Sequence, residues 1–154
     1  MTIAAIGIGS NADDAEAQVR DAFVRLAAVG TVLARSRLYR TEPWGVVDQP
    51  AFVNAVAVVE TALDPHALLD ALKRIERDAG RVATYRWGPR VLDLDILTYG
   101  DARIRDAVLV VPHERLQERA FALVPLADVD PRFVAARDAL SPGDRAAVVE
   151  LSAR

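Results

Sequence analysis

The segment AFVNAVAVVET, residues 51–61, constrains the fold more than any other stretch. It is apolar at odd and even positions alike and rich in valine, so a strand here buries both of its faces. Such a strand lies inside a sheet, with neighbours at both edges and cover above and below. The rest of the chain supplies those neighbours in a definite order. Residues 2–9 read as a first strand closed by GSN. Asp13 or Asp14 then caps a helix with Val19, Phe23, Leu26 and Ala27 on one face, ending at Gly30. The alternating TVLARSRLYRT (31–41) reads as a second strand, and EPWGVVDQP (42–50), with two prolines and a glycine, as a loop. After the central strand, Asp64-Pro65 places an N-cap and an N1 proline before Leu68, Leu69, Leu72 and Ile75, and Gly80 ends that helix. RVATYRWGPR (81–90) reads as a basic loop, residues 90–98 as a further strand, and YGD (99–101) as a turn.

The order β-α-β-β-α-β predicts an α+β, ferredoxin-like fold: an antiparallel sheet with helices on one face and the other face left for a site. From about residue 102 a C-terminal extension holds a strand in VLVVPH and short helical pieces, and SPGD (141–144) starts a last short helix or a frayed tail. With 52% apolar residues the 154-residue chain suits a single domain, 1–154, around one core. The net charge of −3 does not point to nucleic acid or an anionic membrane. The absence of cysteine excludes disulfides and thiolate metal sites. The N-terminal apolar run reads as a strand, not a signal peptide, and no stretch is of membrane-spanning length, so a cytoplasmic location is expected.

In GPRVLDLDIL (88–97), Asp93 and Asp95 fall on one strand face and Leu94 and Ile96 on the other. Aspartate is a poor strand former and like charges on one face repel. The residues alone support two readings: a solvated polar face, or a seat for hard cations shared by carboxylates roughly 6.5–7 Å apart. Arg81, Arg86, Arg90 and Trp87 precede the pair, and His113, Arg115 and Arg119 follow it. Guanidinium groups beside a diacid face suit a polyphosphate, neutralised by metal and arginine together; structural ion pairs between the two sets are the rival reading. Asn54, an amide in the most apolar strand, needs a partner and is able to read a heterocycle's edge. Phe52 and Phe121 are core residues or a sandwich for a flat ring. GIGSNA (7–12) is not a complete dinucleotide-binding fingerprint, and no P-loop is present. RNA binding on such a sheet calls for aromatic platforms and a basic field, which these strands lack.

Five stretches in order, GIGSN (7–11), YRTEPWG (39–45), DQPAFVNAV (48–56), RWGPRVLDLDIL (86–97) and VPHERLQERAF (111–121), resemble the 6-hydroxymethyl-7,8-dihydropterin pyrophosphokinase family. The resemblance runs from residue 3 to about 131. It implies transfer of a pyrophosphoryl group from ATP to the pterin's hydroxymethyl oxygen, releasing AMP, in folate biosynthesis. It implies two Mg²⁺ ions held by Asp93 and Asp95, with Arg81, Arg90 and His113 completing the catalytic set. Thr41, Pro43, Trp44, Phe52, Asn54 and Phe121 fall on the pterin-binding positions. Glu76, Arg86, Trp87, Ile96 and Arg119 fall on the ATP-binding ones. The loops at 42–50 and 81–89 fit the family's closing segments, and the chain is expected to act as a monomer on these two small molecules. Glu114 stands where many members carry tyrosine or proline, so its charge must point away from the phosphates.

Overall fold

The structure, a computed structural model, describes residues 1–42, 51–80 and 91–151. The expectations for Pro43, Trp44, Arg81, Arg86, Trp87 and Arg90 lie outside the described residues.

Strand β1 (Thr2–Ser10) leads into helix α1 (Ala15–Arg25), which buries Ala15, Val19, Ala22 and Phe23. The helix differs from expectation at both ends. Asp14 holds the N-cap position, but its carboxylate accepts from the Gln18 side chain at 3.0 Å and bonds no backbone N–H of the first turn. At the other end the coil tightens into a 3-10 turn over Leu26–Ala28. Gly30 is therefore not a left-handed cap. Its missing side chain lets the chain pass close to Glu60, where a Cβ would drive into the carbonyl oxygen.

The single strand expected over 31–41 is two: β2 (Thr31–Arg35) and β3 (Tyr39–Thr41). Between them Ser36 takes over the pairing. Its backbone N–H donates to the Val56 carbonyl at 2.8 Å, and its hydroxyl oxygen accepts from the Val56 N–H at 2.8 Å. Strand β4 (Phe52–Thr61) follows, and β1 runs antiparallel along one of its edges, β2 and β3 along the other. The apolar segment is central, as its two buried faces require. Helix α2 (Pro65–Ala79) starts as read, with Asp64 accepting from the Ala67 N–H at 2.8 Å, and buries Leu68, Leu72, Ile75 and Ala79. Strand β5 (Asp93–Tyr99) pairs antiparallel with β1 and ends at Gly100, whose φ of 53° suits glycine in the turn.

The extension departs most from expectation. Of VLVVPH only Val110–Val111 is extended; as β7 it pairs with β6 (Ile104–Arg105) away from the main sheet. Helix α3 (Ala120–Val129) continues through Pro125, and the short helices α4 (Val134–Asp138) and α5 (Pro142–Ala146) follow. Residues Val148–Glu150 are not a frayed tail: they form β8, which pairs with β3 and extends the main sheet. Among the described residues that sheet runs β5-β1-β4-β3-β8, with β2 also on β4.

The fold is thus a mixed arrangement of helices and antiparallel sheet. Side chains from α1 and α2 pack with Ile6, Ile8, Leu94 and Ile96 on one face. On the other face Ala5, Val56 and Leu97 meet Leu116 and Leu126. The second face is therefore half covered by α3, and the remainder is the floor of a cavity. Among the described residues no helix is long and apolar enough to cross a membrane.

Candidate active site

Antiparallel register sets the cavity floor. Asp93 of β5 lies opposite Gly9 of β1, and Gly9 opposite Asn54 of β4; Asp95 lies opposite Gly7, and Gly7 opposite Val56. Both carboxylates face the cavity while Leu94 and Ile96 turn into the helix-side core. The two glycines leave the space between the acid pair and the amide empty. A Cβ on Gly9 would stand 2.9 Å from Asn54 Oδ1, and one on Gly7 would stand 3.2 Å from the Leu97 side chain. These glycines are the site residues that the motif reading missed, because it looked for what they bind, not for what they leave out. Their trace in the sequence is two glycines at same-face spacing on a strand beside the acid strand.

The cavity measures about 370 Å³. Its walls bring together Thr41 and Phe52, paired across β3 and β4, with Asn54, and they add Phe121 from the first turn of α3. Asn54 and Thr41 are both 8% exposed, and Thr41 Oγ1 has no hydrogen-bond partner among the described residues. A buried hydroxyl without a partner beside an amide is arranged to meet a polar ligand. Glu42 also lines the cavity and pairs with Arg40 at 2.8 Å.

His113 reaches the acid pair through a bulge. The β1–β5 register shifts between Ala5 and Ile6, leaving Leu97 without a partner on β1. The Leu97 carbonyl then accepts from the His113 N–H at 3.0 Å, which sets the histidine at the cavity wall. Arg119 lies there too, its guanidinium 5.6 Å from the Phe121 ring centroid. Burial pushes the Asp95 carboxyl above its ordinary range and the Asp93 charge adds to this; His113, Lys73 and Arg119 pull it back without cancelling the rise. Removed from solvent beside a like charge, Asp95 gains from any cation that joins it.

Two residues expected at the ATP site do not line this cavity. Ile96 is 3% exposed within the helix-side core. Glu76 lies at the outer edge of β5, accepting from the Leu94 N–H at 2.8 Å and pairing with Lys73 at 3.2 Å. Burial pushes its carboxyl up, against that hydrogen bond and the lysine. Glu114 points outward, 3.3 Å from Arg105.

The donor set suits a hard cation. Asp93 and Asp95 supply carboxylate oxygens over an uncluttered floor, and among the described residues no group of three or more His, Cys, Asp or Glu is placed to hold a metal. Mg²⁺ typically takes one or two protein carboxylates and completes its shell with water and phosphate oxygens.

Comparison with known proteins meets this geometry. Residues 5–131 match the profile of the family described as 7,8-dihydro-6-hydroxymethylpterin-pyrophosphokinase. A 2-amino-4-hydroxy-6-hydroxymethyldihydropteridine pyrophosphokinase of Methylorubrum extorquens is 48% identical over 136 residues, 87% of this chain and 86% of that protein. The Pseudomonas aeruginosa protein of that name is 49% identical over 129 residues, 82% of this chain and 79% of its own. A Plasmodium falciparum HPPK-DHPS solved with pterin and p-hydroxybenzoate shares the fold at a TM-score of 0.69 and 16% identity. That match covers 89% of this chain, which spans 42% of the solved one. The chain belongs to the 7,8-dihydro-6-hydroxymethylpterin-pyrophosphokinase family.

Proposed function

We propose that, in the pyrophosphokinase reaction of this family, Asp93 and Asp95 hold two Mg²⁺ ions against ATP, while the pterin lies between Phe52 and Phe121 and is read by Asn54 and Thr41. One observation carries the reading: a single cavity joins the acid pair to a buried amide, a hydroxyl with no partner among the described residues, and two aromatic rings. The hydroxymethyl oxygen gives up its proton to solvent and forms a bond to the β-phosphorus of ATP, the bond from that phosphorus to the α–β bridging oxygen breaks, and AMP leaves with the electron pair. Bound Mg²⁺ neutralises and orients the phosphates. The protein's own part is placement and charge. The phenyl rings fix the plane of the pterin, and Asn54 and Thr41 fix its rotation within that plane. Arg119, with His113 beside it, offsets the negative charge that builds on the departing phosphate. Arg81, Arg90 and Arg86 are read as further phosphate and nucleotide contacts, Trp87, Glu76 and Ile96 as part of the nucleotide site, and Pro43 and Trp44 as part of the pterin pocket.

The same reading takes residues 1–154 as one pyrophosphokinase domain acting as a cytoplasmic monomer. Its β1-α1-β2-β4-α2-β5 core, ordered β5-β1-β4-β2, supports the ferredoxin-like arrangement, with the residues from 102 as a C-terminal extension.

Asp93→Ala and Asp95→Ala test the metal assignment. Each is expected to lower turnover by a factor of roughly 10³ or more, with a far-UV spectrum like wild type. Calorimetric titration with Mg²⁺ and a non-hydrolysable ATP analogue should show the metal-dependent heat lost in both variants. Wild-type turnover in either one overturns the assignment.

A further inference from the structure

Asp128 lies near the C-terminal end of α3, outside the cavity, with a side chain only 8% exposed. Its carboxylate nevertheless accepts four hydrogen bonds. Oδ1 accepts from Arg37 Nη2 at 2.6 Å. Oδ2 accepts from the Tyr39 hydroxyl at 2.6 Å and from Arg37 Nε and the Arg37 backbone N–H, each at 3.2 Å. Arg37 also reaches Glu150 of β8 at 2.6 Å. These bonds from Arg37 and Tyr39 overcome the burial that would raise the Asp128 carboxyl and hold it below its ordinary range.

The partners of this carboxylate matter for the cavity. Tyr39 is the direct cross-strand neighbour of Asn54, and Thr41, two residues on along β3, projects from the same face. Asp128 itself is on the helix that carries Phe121 at its first turn, about 10 Å away along the axis. Around the junction Tyr39 packs with Val124 of α3 and Val148 of β8. One carboxylate thus bolts the helix bearing one aromatic wall to the strand that flanks Asn54 and bears Thr41.

We infer that Asp128, through Tyr39 and Arg37, is a positioning residue that sets the gap between Phe121 and the Thr41–Phe52–Asn54 wall, and so the affinity for the planar heterocycle. The inference rests on reading that cavity as the pterin pocket. The acid pair stands on β5, at the opposite edge of the sheet from β3 and β8, and of the nucleotide contacts proposed among the described residues only Arg119, at the N-cap of α3, moves with this junction, so nucleotide affinity changes much less than pterin affinity. Displacing a wall of a stacking site by a fraction of an ångström weakens binding without touching the ligand.

The test is calorimetry on wild type, Asp128→Asn and Tyr39→Phe, well below each variant's Tm. Each is titrated with 6-hydroxymethyl-7,8-dihydropterin in the presence of saturating Mg²⁺ and ATP analogue, and separately with the nucleotide alone. Asp128→Asn is expected to raise the pterin Kd roughly tenfold and Tyr39→Phe roughly threefold, with nucleotide Kd within about twofold of wild type in both. Tyr39→Phe leaves the Arg37–Asp128 pair in place and keeps the test decisive if Asp128→Asn does not fold. Unchanged pterin affinity in the folded variants overturns the inference. So does a loss of pterin and nucleotide affinity in the same proportion, the mark of a merely structural bond. Failure of wild type itself to bind pterin contradicts the pocket reading beneath it.

Discussion

Gly9 sits in a row of four strands, flanked by Asp93 on β5 and Asn54 on β4, with Tyr39 beyond. Any side chain there meets Asn54 Oδ1, the tip of a side chain rather than backbone, so the fold can yield and the amide must move. Gly9→Ala is therefore expected to leave Tm nearly unchanged and to raise the pterin KM roughly tenfold. Steady-state kinetics beside a thermal melt checks this; an unchanged KM would show that Asn54 does not read the substrate. The acid pair was legible in the sequence because alternation separated Asp93 and Asp95 from Leu94 and Ile96, and because arginines bracketed it. The glycines were less legible, since their contribution is an absence of atoms. The bulge at Leu97 that delivers His113 left no sequence signal, because it is a register slip between two strands distant in the chain.

At the scale of elements, the pattern located most strands and both long helices, and it failed where a local cue had two meanings. Gly30 looked like a helix cap, yet its φ is not left-handed and its role is close passage beside Glu60. Gly30→Ala must push backbone against the Glu60 carbonyl, so it is expected to cost about 1–3 kcal/mol. Urea unfolding should show a lower midpoint with an unchanged m-value; a midpoint equal to wild type contradicts the close approach. The run 31–41 read as one strand because its alternation continues through Ser36, whose hydroxyl imitates a ladder bond. Among the short helical pieces expected after about residue 102 stands the ten-residue α3, where Pro125 removes one hydrogen bond without ending the helix. β8 is three residues long and lies after two short helices; only its tertiary partner β3 makes it a strand.

For the whole molecule, two faces of one sheet divide the work. Ile6, Leu94, Leu68 and Leu72 fill the helix-side core, and such burial contributes about 1.5–3 kcal/mol per large side chain. That core is what tolerates two like charges on the opposite face of β5. Local rules are broken where the site is and obeyed behind it, the expected division for a functional sheet. The alternation of helices with an antiparallel sheet was readable because each element carries its own period, whereas α3, which completes the cavity with Phe121, is placed by long-range packing. The central claim is a pyrophosphoryl transfer, and product stoichiometry tests it most directly. The protein is incubated with ATP, Mg²⁺ and 6-hydroxymethyl-7,8-dihydropterin, and the nucleotides and pterins are separated and quantified. The account predicts AMP and the pterin diphosphate in equal amounts, dependent on Mg²⁺ and on Asp93 and Asp95; ADP with a pterin monophosphate, or no pterin product at all, would contradict it.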